Sequence, residues 1–342
     1  MKEFTYAKAH DMDSALTALR TPGTQLLAGG TELLNWLKEG IETPDHLVDI
    51  TALPLTAIDT GPSGELRIGA LARMSDLAAR PEAVRDRPVL AESLLLAASP
   101  QLRNMATIGG NLQQRTRCPY FRADIPLPCN KRTPGSGCAA LQAGGDTTQH
   151  ALFGWTQECA ATHPSDLAVA LAVLDAAVLV SGAGGERRIP ATAFHLTPAE
   201  AEPQRHTALE PDEMITAVEV PGRPSARLSR FLKLRERAAY EFAVVSAAVT
   251  LELTAGDTIG SARIALGGVA HRPWRLTAAE EALRGTALAD TDALRAAVAI
   301  SFADARPLPG NGYKVELAQR AAVRALRDAA RRIEPGANGG PR

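Results

Sequence analysis

The 342-residue chain is poor in aromatic side chains and in excess charge of either sign. Aromatic residues make up 4% of the chain, and the formal net charge at pH 7 is −1. Because binding to a phosphate backbone requires a basic face, this balance argues against nucleic acid as the main partner. The overall composition, 45% hydrophobic and 22% charged, is typical of a globular protein.

Long apolar segments are also missing. No run reaches the roughly 18 apolar residues of a membrane-spanning helix, so no membrane span is predicted. The first residues, MKEFTYAKAHDMDSALTAL, show neither the apolar core nor the cleavage site of a secretory signal. We therefore expect cytoplasmic synthesis, with export to the periplasm only on the signal of a partner subunit. At this length two or three domains are expected.

The cysteines are few, and they are concentrated in one stretch. All four lie between residues 99 and 166, in the spacing C-x10-C-x8-C-x20-C, at Cys118, Cys129, Cys138 and Cys159. The paired CxxC motifs of structural zinc sites are missing, and disulfides are unusual in a chain made without a signal. Four thiolates from one Gly/Pro-rich loop suit an iron–sulfur cluster. Spacing alone leaves an iron–sulfur cluster, zinc, and free or redox-sensing thiols open.

Basic residues accompany the cysteines, at Arg115, Arg117, Arg122, Lys131 and Arg132. Basic neighbours are expected to lower the pKa of the thiols and to offset the negative charge of a four-thiolate cluster. We therefore expect the chemistry of the protein in this segment.

Two glycine pairs stand where a strand turns into a helix. Residues 25–28 are predicted as a strand, Gly29-Gly30 as a turn and residues 31–39 as a helix, and the second pair is Gly109-Gly110. Such a turn lets backbone N–H groups approach a phosphate, although a plain tight turn is the simpler explanation of a single pair. Two pairs favour a dinucleotide, whereas the lack of a GxGxxG motif disfavours an ordinary nicotinamide site.

The last third of the chain changes to strands followed by helices, which predicts an α+β domain with one face of its sheet covered. Thr277 and Glu280 are predicted to form a capping box. A Pro/Gly-rich boundary precedes this domain at 221–224, and the Gly/Pro-rich tail at 334–342 is predicted to be disordered. The predicted strands are 227–235, 242–254 and 262–268, and the predicted helices are 277–283, 290–305 and 315–332.

Several of these motifs resemble a known family. LeuLeuAlaGlyGlyThrGluLeu at 26–33, Arg103 with ThrIleGlyGlyAsnLeu at 107–112, and ProSerAsp at 164–166 look like the FAD-binding (medium) subunit of the xanthine dehydrogenase family of molybdenum hydroxylases. The stretch 230–270 is similar to the small domain that follows the flavin domain in this family.

The inserted cysteine segment, about 113–162, resembles the 4Fe–4S-containing subgroup. That subgroup includes the FAD subunit of periplasmic aldehyde oxidoreductase and the β subunit of 4-hydroxybenzoyl-CoA reductase. The run from CysProTyrPheArg to GlySerGlyCys is more similar to the aldehyde oxidoreductase type.

The resemblance implies an α+β fold. A two-subdomain, PCMH-like FAD-binding domain would occupy 1–222 and carry the inserted iron–sulfur segment. A C-terminal domain of the CO dehydrogenase flavoprotein type would occupy 223–333, with a three-stranded sheet and three helices. The implied cofactors of this chain are FAD and a 4Fe–4S cluster, the cluster held by Cys118, Cys129, Cys138 and Cys159.

The family also implies a division of labour within a heterotrimer. A large molybdopterin-binding subunit oxidises the substrate, a small subunit with 2Fe–2S clusters relays the electrons, and the FAD of this chain passes them to an external acceptor. No catalytic residue for the substrate step is expected here. One alternative is the β subunit of a 4-hydroxybenzoyl-CoA reductase-like enzyme. The alternatives of other classes are a zinc-stabilised binding module without a redox role and a stand-alone flavin oxidase or nicotinamide dehydrogenase.

The resemblance assigns residues to the flavin. The pyrophosphate and ribityl chain would lie against two segments, Asp166 would hydrogen-bond the cofactor, Ile215 would contact the isoalloxazine ring, and Lys233 would lie near that ring. Without the family, a helix cap is the simpler role of Asp166 and is compatible with cofactor binding. Ile215 would be a core residue in any protein, and a solvated face explains Lys233 about as well. The segments are Leu26, Leu27, Ala28, Gly29, Gly30, Thr31, Glu32 and Leu33, and Thr107, Ile108, Gly109, Gly110 and Asn111, with Arg103 beside the second.

Overall fold

The computed structural model describes residues 1–331, which form three β-sheets. The first sheet is parallel, in the order β1-β3-β2, with strands at Thr5–Lys8 (β1), Thr24–Leu27 (β2) and His46–Asp49 (β3). Helix α1 (Met12–Leu19) begins at Asp11, whose side chain accepts the N–H of Ser14. Helix α2 (Leu33–Lys38) is shorter than predicted because residues 31 and 32 still belong to the glycine turn.

The second sheet is antiparallel, in the order β4-β5-β8-β6-β7. Helix α8 (Asp166–Val173) is buried at every position because it packs against α5 (Pro88–Leu96) and against the third sheet. The strands are Ile58–Thr60 (β4), Leu66–Gly69 (β5), Ala177–Gly182 (β6), Gly185–Pro190 (β7) and Met214–Val220 (β8). The helices are Met74–Ala79 (α3), Pro81–Val84 (α4), Pro88–Leu96 (α5), Pro100–Arg103 (α6), Ile108–Leu112 (α7), Asp166–Val173 (α8) and Ala191–Phe194 (α9).

The third sheet is antiparallel, in the order β12-β11-β10-β9, and three helices complete its domain. The three predicted strands and the three predicted helices are confirmed, and a two-residue fourth strand extends the sheet. The strands are Ser229–Leu234 (β9), Val245–Thr254 (β10), Thr258–Gly267 (β11) and Trp274–Arg275 (β12), and the helices are Thr277–Ala282 (α10), Thr291–Ile300 (α11) and Tyr313–Ala330 (α12). The predicted disordered tail lies outside the described residues.

The predicted capping box of α10 is wrong. The residue before this helix is Leu276, and no side chain caps its N-terminus. The carboxylate of Glu280 instead accepts the backbone N–H of Ile264 at 2.8 Å and binds the guanidinium of Arg275. The neighbouring strands therefore compete for this carboxylate and draw it away from the helix start.

The cysteine segment, residues 113–162, contains no regular strand and only one 3-10 turn, at Ala139–Leu141. Two aromatic side chains of the segment anchor it on the C-terminal domain. The Phe153 ring stacks on that of Trp274 with centroids 5.0 Å apart, and Trp155 donates its indole N–H to the carbonyl of Arg306 at 2.8 Å. In residues 1–331, no helix is both long and apolar enough to cross a membrane.

Candidate functional site

The two glycine turns pack directly against one another. A Cβ atom on Gly29 would stand 2.0 Å from the backbone oxygen of Met105, so no side chain fits there. Gly30 follows with φ +70°, a conformation that L-residues rarely adopt. Gly29 comes directly from β2, and Met105 lies just before α7, so turns that are far apart in sequence form one surface.

The second glycine turn reaches the start of α8. Thr107 is the N-cap of α7, and its hydroxyl accepts the N–H of Gly110 at 3.2 Å. Gly109 is buried, and a Cβ there would meet Ala70 at 3.1 Å, whereas Gly110 is exposed. The Asn111 side-chain oxygen accepts the hydroxyl hydrogen of Ser165 at 2.6 Å. Asn111 is thus joined by a hydrogen bond to the residue that precedes Asp166.

Asp166 and Lys233 form a buried ion pair. Their carboxylate oxygen and ammonium nitrogen are 2.7 Å apart, with 4% and 1% of the two side chains exposed. Burial raises the pKa of Asp166 to about 6, outweighing the opposite effect of Lys233. Ser165, not Asp166, is the N-cap of α8. Lys233 therefore does not lie on a solvated face, and its ammonium group is committed to Asp166 and to the carbonyl of Leu96 at 3.1 Å.

Two residues assigned to the flavin have other surroundings. Arg103 donates from one guanidinium nitrogen to the carbonyls of Leu95, Ala97 and Ala98, at 2.8 to 3.3 Å, and so completes the C-terminal end of α5. Ile215 is 3% exposed on β8 and belongs to the core of the second sheet. Their flavin contacts remain predictions.

A cleft lies between the start of α8, the cysteine segment and the third sheet, and we call it the interdomain cleft. Asp166 on α8 lines the cleft, and so does Ser246 on β10 of the C-terminal domain. The cysteine segment contributes Cys118 and His150. The aromatic ring of Phe242 also lines the cleft. The guanidinium group of Arg117 lies 4.6 Å from the centroid of this ring, in a cation–π contact.

The four cysteines line a second space, which we call the cysteine cavity. All four thiols are free. Backbone N–H groups face three of the sulfur atoms, those of Cys118, Cys129 and Cys159. Lys131 and His150 share the cavity wall. Cysteines spread over the longest irregular segment of the described chain are therefore brought together.

Burial makes three of the four thiols less acidic than an ordinary cysteine. Burial raises the pKa of Cys118 to about 12 and that of Cys159 to about 11, and it also raises the pKa of Cys129. The expectation that basic neighbours give these thiols a lowered pKa is therefore wrong, because the effect of burial is larger than that of the neighbouring charges. Lys131 does act in the expected direction on Cys129 and Cys159, as a weaker influence.

The arginines of the segment serve a different purpose, as tethers to α2 and its flanks. Arg117 and Arg122 both bind the Glu32 carboxylate, at 2.7 and 2.5 Å, and Arg122 also binds Glu39 at 2.9 Å. Arg115 pairs with Glu42. Glu32 is one of the residues predicted to contact the flavin, and this tethering was not foreseen from the sequence.

His150 and His163 line the interdomain cleft, and His163, His206 and His271 line a neighbouring space. The rings of His163 and His195 have centroids 3.8 Å apart. Burial lowers the pKa of His195 to about 4 and places that of His163 and His271 well below the ordinary value. His163 lies in the loop before α8, and its ring packs against that of His195. Over residues 1–331, no set of three or more His, Cys, Asp or Glu side chains is arranged to hold a metal ion.

Two family models together match almost the whole chain. The model described as the FAD binding domain in molybdopterin dehydrogenase matches residues 2–223. The model described as the CO dehydrogenase flavoprotein C-terminal domain matches residues 230–329.

Similar proteins span the same length. The chain is 47% identical to the aldehyde oxidoreductase FAD-binding subunit PaoB of Escherichia coli strain K12, over 96% of this chain and 99% of the relative. It is 27% identical to the carbon monoxide dehydrogenase medium chain of Afipia carboxidovorans, over 97% and 96%. A chain in the structure of reconstituted CO dehydrogenase from Oligotropha carboxidovorans superposes with a TM-score of 0.73 at 26% identity, over 96% and 98%.

Proposed function

Since this chain belongs to the FAD-binding subunits of the molybdenum hydroxylase family, we propose that it is the electron-transfer subunit of an aldehyde oxidoreductase-type complex, carrying FAD and a 4Fe–4S cluster. Its partners are a large molybdopterin-binding subunit and a small 2Fe–2S subunit. The observation that carries the cluster is the convergence of all four cysteines on one cavity. The aldehyde class is supported by the 47% identity over nearly the full length.

For the flavin, the surface formed by the two glycine turns is the proposed site of the pyrophosphate. Gly30 and the exposed Gly110 present backbone without a side chain, and Asn111 connects this surface to the start of α8. Asp166 follows there and opens into the interdomain cleft, which we propose holds the isoalloxazine end. Bound FAD supplies two-electron acceptance and its stepwise release. Lys233 fixes Asp166 and compensates its charge in the buried position.

For the cluster, the residues of the cysteine cavity fit the proposed group. A cubane takes one thiolate on each iron, so its four ligands need not converge on a single point as the ligands of one metal ion do. Backbone N–H groups already face three of the sulfur atoms, and such hydrogen bonds stabilise ligated thiolate. Lys131 supplies a cation beside them, and Lys131 donates to the carbonyl of Pro203 at 2.7 Å. A bound cluster would accept and release single electrons.

The proposed division of labour is the one that membership of this family implies. We therefore assign aldehyde oxidation to the large subunit and the exchange of electrons with an external acceptor to this chain.

The deciding experiment is anaerobic purification of the chain, followed by its visible spectrum and its flavin, iron and zinc content. We expect about one FAD and about four irons per chain, with thiolate-to-iron absorption beside the flavin bands. An aldehyde should reduce this flavin only when the partner subunits are added. A colourless, zinc-containing protein would refute the proposal.

Cys129→Ser provides the site-specific test. It should remove the iron and leave the flavin bound, because the cysteine cavity and the glycine turns are separate surfaces. Asp124→Asn, an exposed change in the same segment, is the matched control and should retain both groups. Full iron content in Cys129→Ser would exclude Cys129 as a ligand.

A further inference from the structure

Cys118 and His150 together form a wall between the two spaces of the site. Cys118 lines both the cysteine cavity and the interdomain cleft, and the other three cysteines line only the cavity. The ring of His150 lines both spaces as well, and its Nε2 atom lies 3.4 Å from the Cys118 sulfur. This contact is within hydrogen-bonding distance for sulfur.

We propose that His150 is a positioning residue that donates an Nε2–H hydrogen bond to the Cys118 sulfur and so sets the reduction potential of the iron–sulfur group. This inference rests on the proposed function, since it requires a cluster on the cysteines. It concerns the one cysteine that also borders the flavin cleft.

The direction of the hydrogen bond follows from the chemistry of ligation. A free Cys118 thiol has a proton, and either partner could then donate. A thiolate bound to iron has no proton, so the hydrogen must be on Nε2. Nδ1 is then the unprotonated nitrogen, and it has no hydrogen-bond partner among the described residues. His150 is the only side chain in residues 1–331 whose hydrogen bond to a cysteine sulfur is resolved in this structure.

The backbone of His150 is held by the C-terminal domain and by its own segment. His150 is 3% exposed. Its backbone carbonyl accepts hydrogen bonds from the side-chain amide of Asn311 and from the ammonium group of Lys314, each at 3.0 Å. Its own N–H donates to the carbonyl of Thr147 at 3.0 Å. Asn311 is fully buried, and Lys314 is 1% exposed. These bonds fix the backbone position from which the ring reaches the sulfur.

A hydrogen bond to a ligating sulfur stabilises the more negative, reduced state and raises the reduction potential. His150→Leu should therefore lower the midpoint potential of the cluster, measured by a redox titration followed by electron paramagnetic resonance. A tenfold decrease in the equilibrium constant for reduction corresponds to about 59 mV for one electron, and we expect a shift of that order. His150→Gln places an amide N–H near the position of Nε2 and should keep most of the wild-type potential.

His271→Leu is the matched control, because His271 is also buried but lines neither the cleft nor the cysteine cavity and has no resolved hydrogen bond to a cysteine. Its potential should stay within error of wild type. Equal potentials for wild type and an iron-replete His150→Leu would overturn the inference and leave the proposed function intact. Loss of iron in both His150 variants, with flavin retained, would also overturn the hydrogen-bond role and make the ring merely structural. A wild-type chain without iron would refute the proposed function itself.

Discussion

At the residue scale, Gly29 has no room for a side chain because the backbone of Met105 occupies the space. Gly29→Ala should force the two glycine turns apart, lower the free energy of unfolding by about 1–3 kcal/mol and release FAD. Urea unfolding and the flavin content of the purified variant would measure both effects. Gly184→Ala is the control, since a Cβ there meets no atom within 4 Å, and it should stay within about 0.5 kcal/mol of wild type. Full flavin retention in Gly29→Ala would contradict the proposed surface.

The Asp166–Lys233 pair is buried, so each partner alone is an uncompensated charge. Lys233→Met should cost about 3–5 kcal/mol, and the double variant with Asp166→Asn should cost less than the sum of the single changes. A double-mutant cycle in urea gives the coupling energy. The same cycle on Glu316 and Arg320, 70% and 72% exposed, should give less than about 0.5 kcal/mol. Additive effects at Asp166 and Lys233 would show that the pair is not coupled.

Residues of the candidate site can be recognised in the sequence only where the local backbone accepts few residue types. Glycine pairs and a ProSerAsp run are visible because few residues suit a tight turn or a helix start. The partner of Gly29 is a backbone carbonyl in another segment, and the partner of Asp166 lies on β9. Neither contact leaves a pattern in the local sequence. The close approach of Met105 to Gly29 and the burial of Lys233 are therefore visible only in the structure.

At the scale of elements, the cysteine segment is irregular and depends on its neighbours for position. Glu32 binds Arg117 and Arg122 with 13% of its side chain exposed, whereas Glu39 binds only Arg122 and is 32% exposed. The carboxylate of Glu32 is thus the central tether between the first glycine turn and the segment that carries the cysteines.

Glu32→Gln should cost about 1–3 kcal/mol, less than a fully buried pair because the arginines are partly solvated. Hydrogen exchange should accelerate in residues 113–122, measured by mass spectrometry. Glu39→Gln is the matched control and should cost less than about 1 kcal/mol. Equal exchange rates in the two variants would contradict the tether. The flavin content, measured in parallel, would reveal any separate contact of Glu32 with the cofactor.

Elements with strong periodicity were predictable, and those that depend on tertiary contacts were not. The α12 helix has an apolar face that repeats along its 18 residues. The two-residue strand β12 exists only because β11 offers it an edge, and the Thr277/Glu280 pattern failed because Arg275 and Ile264 take the carboxylate. The basic residues of the cysteine segment were found, but their acidic partners lie on another element.

At the scale of the whole molecule, Lys314 joins the C-terminal domain to the cysteine segment and to the cleft. From α12 its ammonium nitrogen donates to the carbonyls of Gln149, His150 and Gly268, at 2.5 to 3.3 Å. Burial lowers the pKa of Lys314 from 10.5 to about 7, because these carbonyls replace water without supplying a full negative charge. The junction of the two regions is therefore sensitive to pH.

Between pH 7 and 10.5 the unfolded chain holds a proton on Lys314 that the folded chain has partly lost, so this residue makes unfolding less favourable as the pH rises. Its contribution should increase stability by about 2 kcal/mol from pH 7.5 to 9. Lys314→Met lacks this proton, and groups elsewhere cancel when the two proteins are compared at each pH. The stability advantage of wild type over Lys314→Met, from urea unfolding, should therefore grow over this range. A difference that stays constant would mean that Lys314 remains charged in the fold, and that the carbonyls alone carry its ammonium group at the junction.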